Sequence, residues 1–78
     1  MYELILFNDS KNSIEDVMIG LTEILGHGNF QAEQCACITH HNGKCSIKIG
    51  KKQDMVKACY SLMQYGLNVK ISKRQVIA

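Results

Sequence analysis

Apolar and polar positions along this chain follow two periods. Tyr2 to Phe7 is a mostly apolar run centred on Leu4-Ile5-Leu6, which predicts a strand largely covered on both faces. Asn8-Asp9 closes it. Apolar residues then return at Ile14, Val17, Met18, Leu21, Ile24 and Leu25, the three-and-four spacing of an amphipathic helix. Asn12 or Ser13 can cap that helix, Glu15 and Asp16 suit its positive end, and Gly26-His27-Gly28-Asn29 stops it. A second, shorter helix is predicted from about Gln31 to His41. Ala32, Cys35, Ala36, Ile38 and Thr39 share one side of it, His40 sits at the edge of that arc, and Cys37 and His41 point away. After an Asn42-Gly43 turn the period becomes two: Cys45, Ile47 and Ile49 alternate with Ser46 and Lys48 through a strand from Lys44 to Gly50. Residues 53–64 predict a third helix with Met55, Val56, Cys59, Leu62 and Met63 inward. Gly66 ends it, and Leu67, Val69 and Ile71 alternate in a last strand.

The predicted order is therefore β-α-α-β-α-β. Three strands with helices on one face give an α+β fold, a two-layer sandwich of a three-stranded antiparallel sheet and three helices. At 78 residues, the expectation is a single domain over 1–78, near the lower size limit for a core without staples.

Composition changes the picture in two places. Residues 1–43 carry six acids and one base, whereas residues 44–78 carry eight bases and one acid, for a net charge of +2 overall. An acidic front half favours a cationic ligand and a basic back half favours an acidic partner. The four cysteines (Cys35, Cys37, Cys45 and Cys59) fall mostly on apolar positions rather than in loops, which reads as reduced, buried thiols. No apolar run reaches the roughly 18 residues of a membrane span. Met1-Tyr2-Glu3 leads straight into strand-like residues without a leader pattern, so a cytoplasmic location is expected.

Catalytic signatures do not compete. There is no Gly-rich phosphate loop, no nucleophile elbow and no carboxylate pair with an obvious shared site. Cys37 and His41 lie one helical turn apart, but Glu33 on the same turn opposes thiolate formation. The expectation is a protein that is not an enzyme and needs no cofactor. Cys35, Cys37, His40, His41 and Cys45 are rich in metal-ligating atoms. Residues two apart on a helix diverge, however, and the knuckle spacing of structural zinc is missing. The lysines of the back half are not interleaved with stacking aromatics, which disfavours nucleic acid.

What remains are hydrogen-bonding side chains at element ends, Asn8-Asp9 after the first strand and Thr39-His40-His41-Asn42-Gly43-Lys44 at the close of a helix. Set beside apolar helical faces, they predict a small polar pocket with an apolar floor. Its ligand would carry one charged end and one apolar side chain.

Leu6-Phe7-Asn8-Asp9, then Asn12-Ser13-Ile14 with Val17, then Gln31-Ala32-Glu33-Gln34-Cys35-Ala36 with Ile38, His40 and Gly43-Lys44-Cys45, resemble the ClpS adaptor family over nearly the whole chain. The Gln-Ala-Glu-Gln-Cys-Ala and Gly-Lys-Cys stretches are similar to the form found in Bacteroidetes. The resemblance implies an adaptor that binds N-degrons, the destabilising amino-terminal residues of substrates, and delivers them to the AAA+ unfoldase of a Clp protease. It implies contacts from Asn8 and His40 to the substrate α-amino group, with Asp9 beside them, and a pocket walled by Asn12, Ile14, Val17, Met18, Ala36 and Thr39. The implied partners are substrates with bulky hydrophobic amino-terminal residues and the N-terminal domain of an unfoldase of ClpA or ClpC type. The latter would meet the third helix's start at Lys52, Gln53 and Lys57. This chain has Ser10 where many members have a second acid, and Ala36 where many have a larger Met. The competing reading is a basic-surface interaction module, with a fold resembling the ribosomal stalk C-terminal domain, binding nucleic acid or an acidic protein.

Overall fold

The computed structural model describes residues 1–74. Its elements run β1 (Tyr2–Phe7), α1 (Ile14–Leu25), α2 (Asn29–Asn42), β2 (Lys44–Gly50), α3 (Lys52–Tyr65) and β3 (Val69–Lys73). β1 is the central strand of an antiparallel sheet ordered β2-β1-β3. α3 lies against all three strands, α1 packs on both other helices, and α2 rests on α1 and β2. The expected two-layer sandwich is the observed one.

Leu4 and Leu6 of β1 point into the layer interface and are fully covered. They meet Leu21 of α1, Ala32 and Cys35 of α2, Ile47 of β2, Met55, Cys59 and Leu62 of α3, and Val69 of β3. The covering of both faces of β1 that its apolar run suggests does not occur. Ile5 and Phe7 face away from the helices and are only half-buried, Phe7 beneath the Lys70 ammonium at 5.6 Å. Long side chains of neighbouring strands shelter them in place of a second layer.

The alternation of β2 is also broken. Leu4 pairs with Lys48 but Ile5 pairs with Ser46, so Ile47 is the extra residue of a register shift. Such a bulge reverses the facing of the residues beyond it. Ile47 is buried in the core, while Ile49 stands opposite Glu3 and is 44 % exposed. Three further residues expected inside, Ile38, Val56 and Met63, are exposed, the last at 58 %. Each helix contacts its neighbours over an arc narrower than its apolar stripe, and these residues fall at its margins.

Two helix ends shape the loops around the first strand's carboxyl end. The Ser13 hydroxyl accepts from the Asp16 N–H while the Asp16 carboxylate accepts from the Ser13 N–H, a complete capping box that fixes where α1 begins. At the end of α3, Gly66 takes a left-handed conformation (φ 111°). Its N–H donates to Met63 and that of Leu67 to Leu62, the paired closure of a Schellman motif. That closure turns Leu67 back into the molecule before β3 starts two residues later.

Candidate functional site

β1 ends where the Asn8 N–H donates to the Gly43 carbonyl at 2.9 Å. This one bond places the first loop beside the carboxyl end of α2, bringing Asn8 and His40 to the same rim across more than thirty residues of chain. Below the rim is a small pocket, its enclosed volume only about 10 Å³. Leu6, Phe7, Asn8, Asp9, Asn12, Ser13, Ile14, Val17, Ala36, Thr39, His40 and Leu67 line it.

The Asp9 carboxylate organises the loop. One oxygen accepts from the Lys11 and Asn12 N–H groups, both at 2.8 Å, and the other from the Asn12 side-chain amide at 3.1 Å. Asn12 also donates to the Gly66 carbonyl at 2.9 Å, which ties the β1–α1 loop to the α3–β3 turn. Burial raises the Asp9 pKa, but the Asn12 backbone and side-chain bonds, the Lys11 N–H and the Lys11 charge outweigh it and hold the carboxyl below its ordinary value. Asp9 therefore keeps its charge while its oxygens already accept several hydrogen bonds.

The floor is apolar. Ala36 and Thr39 are buried on the α2 side, and the Thr39 hydroxyl donates into its own helix, to the Cys35 carbonyl at 2.8 Å. Val17 and Ile14 come from α1 and Leu67 from the α3–β3 turn. The Asn8 and His40 side chains are exposed at the rim.

Of the residues singled out by sequence, Asn8, Asp9, His40, Asn12, Ile14, Val17, Ala36 and Thr39 come together here. Met18 does not line the pocket. One residue on from Val17 it has rotated by about 100°, and it packs instead against the core. Leu67, expected in the last strand, precedes that strand and forms a pocket wall. An apolar residue directly after a helix-ending Gly is the sign of a Schellman contact and could have revealed it. Ser13 lines the pocket as well as capping α1.

The cysteines lie apart from the rim. All four are free thiols. Burial first, then neighbouring Cys45, pushes the Cys35 thiol up to about 11, and burial pushes Cys59 up too. Such thiols stay protonated and unreactive. Among the described residues no group of three or more His, Cys, Asp or Glu side chains is placed to hold a metal ion, and no helix is long and apolar enough to cross a membrane.

Lys52, Gln53 and Lys57 lie elsewhere, with Lys51 and Val56, around a wide, shallow concavity at the start of α3. Val56 is the apolar residue among them, and the Lys52 ammonium sits 5.8 Å from the Tyr2 ring.

Fold and pocket define a small α+β recognition module whose binding site joins a polar rim to an apolar floor. The family model of the ATP-dependent Clp protease adaptor protein ClpS matches residues 1–70, and the chain belongs to that family. It is thus a Clp adaptor that recognises N-degrons. Among solved structures, Agrobacterium tumefaciens ClpS2 bound to L-phenylalaninamide matches with a TM-score of 0.87 at 14 % identity. The match covers 91 % of this chain and 93 % of that one, a likeness of fold. No curated protein sequence matches the chain.

Proposed function

We propose that the pocket between β1, α1 and α2 receives the first residue of a substrate protein, with its α-amino group at the rim and its side chain on the floor. The observation that carries this reading is the convergence of Asn8, Asp9 and His40 above Ile14, Val17, Ala36 and Thr39 in one pocket. An α-ammonium is a small cation with three donors. The Asn8 amide oxygen and a neutral His40 nitrogen are acceptors for it, and the Asp9 carboxylate supplies negative charge from behind. Asn12 acts through Asp9, holding it and the Gly66 turn in place. That the relative with this fold was solved with L-phenylalaninamide, a free α-amine bearing an apolar side chain, supports the same ligand chemistry.

Burying one large apolar side chain contributes roughly 1.5–3 kcal/mol. Hydrogen bonds to a charged group contribute roughly 1.5–3 kcal/mol each. Two or three of them, less ordering costs, give about −8 kcal/mol, a micromolar dissociation constant. Small Ala36 leaves room in the floor, so Ile and Val join Leu, Phe, Tyr and Trp as acceptable first residues.

The protein acts as a non-catalytic adaptor in the cytoplasm, with one ClpS-like domain; residues 75–78 of the expected 1–78 span lie outside the described residues. It hands substrates to the N-terminal domain of a ClpA- or ClpC-type unfoldase. The Lys52, Gln53 and Lys57 concavity suits an acidic docking face on that partner.

Calorimetric titration with leucinamide, phenylalaninamide and their N-acetylated counterparts tests this reading. Heat from the free amines alone is the expected result. Equal binding of the acetylated forms would overturn it.

A further inference from the structure

Gly20 lies in the middle of α1, buried, where a glycine costs a helix roughly 0.5–1 kcal/mol relative to alanine. No turn or positive φ requires it there. Its surroundings do. A Cβ at this position would stand 2.9 Å from Leu67 Cδ1 and 3.1 Å from the Tyr65 ring carbons Cδ1 and Cε1. Both distances are shorter than ordinary carbon–carbon contact, about 3.5–4.0 Å. The bare backbone of α1 thus lets the α3–β3 turn lie directly against it, with Leu67 drawn back onto the helix.

Leu67 is also a wall of the pocket. Its other neighbours belong to a filled core, in which protein interiors leave little free volume. Open space beside it lies on two sides, in the pocket and in the shallow cleft that Leu67 shares with Asp9, Ser10, Lys11, Gly66 and Asn68. From this juxtaposition we infer that Gly20, which does not line the pocket, is a positioning residue for substrate selection. By letting Leu67 retreat, it sets how large a first side chain the floor admits. The pocket is then sized from two sides by two small helical residues, Ala36 directly and Gly20 through Leu67. The inference rests on the pocket being the site of the substrate's first residue.

The test compares peptides beginning with Phe, Leu and Val by fluorescence anisotropy against the protein and its Gly20→Ala variant. Displacing Leu67 into the floor reduces affinity for the Phe peptide by about tenfold or more, as overpacking does elsewhere. The Val peptide loses much less. Leu67→Ala in the Gly20→Ala background restores Phe binding to the level of Leu67→Ala alone, because the displaced atom is gone. Equal loss for all three peptides would make Gly20 a merely structural residue and overturn the inference, and so would no loss for any, the result if Leu67 moves into the cleft instead. So would a size-selective effect of Gly20→Ala that persists without the Leu67 side chain. The double variant relieves the 2.9 Å contact and leaves only the 3.1 Å approach to the partly exposed Tyr65 ring, so this second comparison decides the matter even where Gly20→Ala alone does not fold. A wild-type protein that binds none of the peptides refutes the pocket reading instead, a result distinct from either.

Discussion

Two of the molecule's concavities are of opposite design. The pocket at the end of β1 is narrow, and much of its polar loop is held. Asp9 grips Lys11 and Asn12, Asn12 grips Gly66, Asn8 is fastened to Gly43, and Ser13 is locked in a capping box. The concavity at the start of α3 is broad and shallow, rimmed by Lys51, Lys52 and Lys57 around one exposed valine. Its α3 N-cap, Lys51, makes no side-chain capping bond. A preorganised pocket suits a small ligand, whose few contacts leave little to spend on ordering the site. A basic rim of long side chains suits a large partner met through complementary charge.

Substitutions should therefore separate the two regions. The largest effect is expected from Asn8→Ala, which removes an acceptor for the ammonium and weakens a Leu-initiated peptide by about 1.5–3 kcal/mol, or at least tenfold, by anisotropy. Unfoldase binding should not change. Next, Ala36→Met narrows the floor and costs about 1–3 kcal/mol for Ile and Val peptides by overpacking, with Phe and Leu peptides losing less, read by competition among Phe-, Leu-, Ile- and Val-initiated peptides. The unaltered protein accepts Ile and Val within about tenfold of Leu, and a stronger preference for Leu would break the account of the floor. Third, Lys52→Glu with Lys57→Glu leaves peptide affinity intact but weakens docking to the unfoldase, most visibly at low salt, where exposed charges act at longest range. Pulling down the unfoldase N-terminal domain reads this out.

The smallest effect concerns acid stability. Asp9 titrates lower in the folded chain than its ordinary value of 3.8, so the unfolded chain binds the proton first as pH falls. Its contribution to folding is thus complete above the ordinary carboxylate range and disappears as pH drops through the lowered value. Asp9→Asn should flatten the melting temperature between pH 5 and 3 (about the carboxylate range) relative to the parent. His27 acts in the same direction at higher pH. Burial, then the charge of Lys48, lowers its imidazole below 6.5 against an opposing bond with the Ile47 backbone, and its buried Nδ1 lacks a partner among the described residues. Stability held by neutral His27 is complete above about 6.5 and declines below it.

Much of this was legible in the sequence because the signals were local. Three-and-four spacing gave α1, Ser13 and Asp16 its start, and Gly43 and Gly66 the helix ends. The rim was legible because Asn8-Asp9 and His40 stand at element ends, where polar residues need a reason to point inward. What escaped was set by contacts distant in the chain. The register shift at Ile47 reverses Ile49, and periodicity cannot show a bulge. Met18 and Val17 look equally apolar, and only the approach of α2 decides which faces the pocket. Leu67 joins the wall through a turn, and Gly20 looks like a weak helix residue until Leu67 and Tyr65 are seen against it.

The central claim is that the rim reads a free α-amine through His40. Anisotropy of one labelled Leu-initiated peptide and its N-acetylated twin, each titrated with the parent protein and with His40→Ala, tests it most directly. The account predicts micromolar binding of the free-amine peptide to the parent, at least tenfold weaker binding to His40→Ala, and no comparable binding of the acetylated peptide to either. Equal affinity of the parent for both peptides, or an unaltered affinity in His40→Ala, would contradict it.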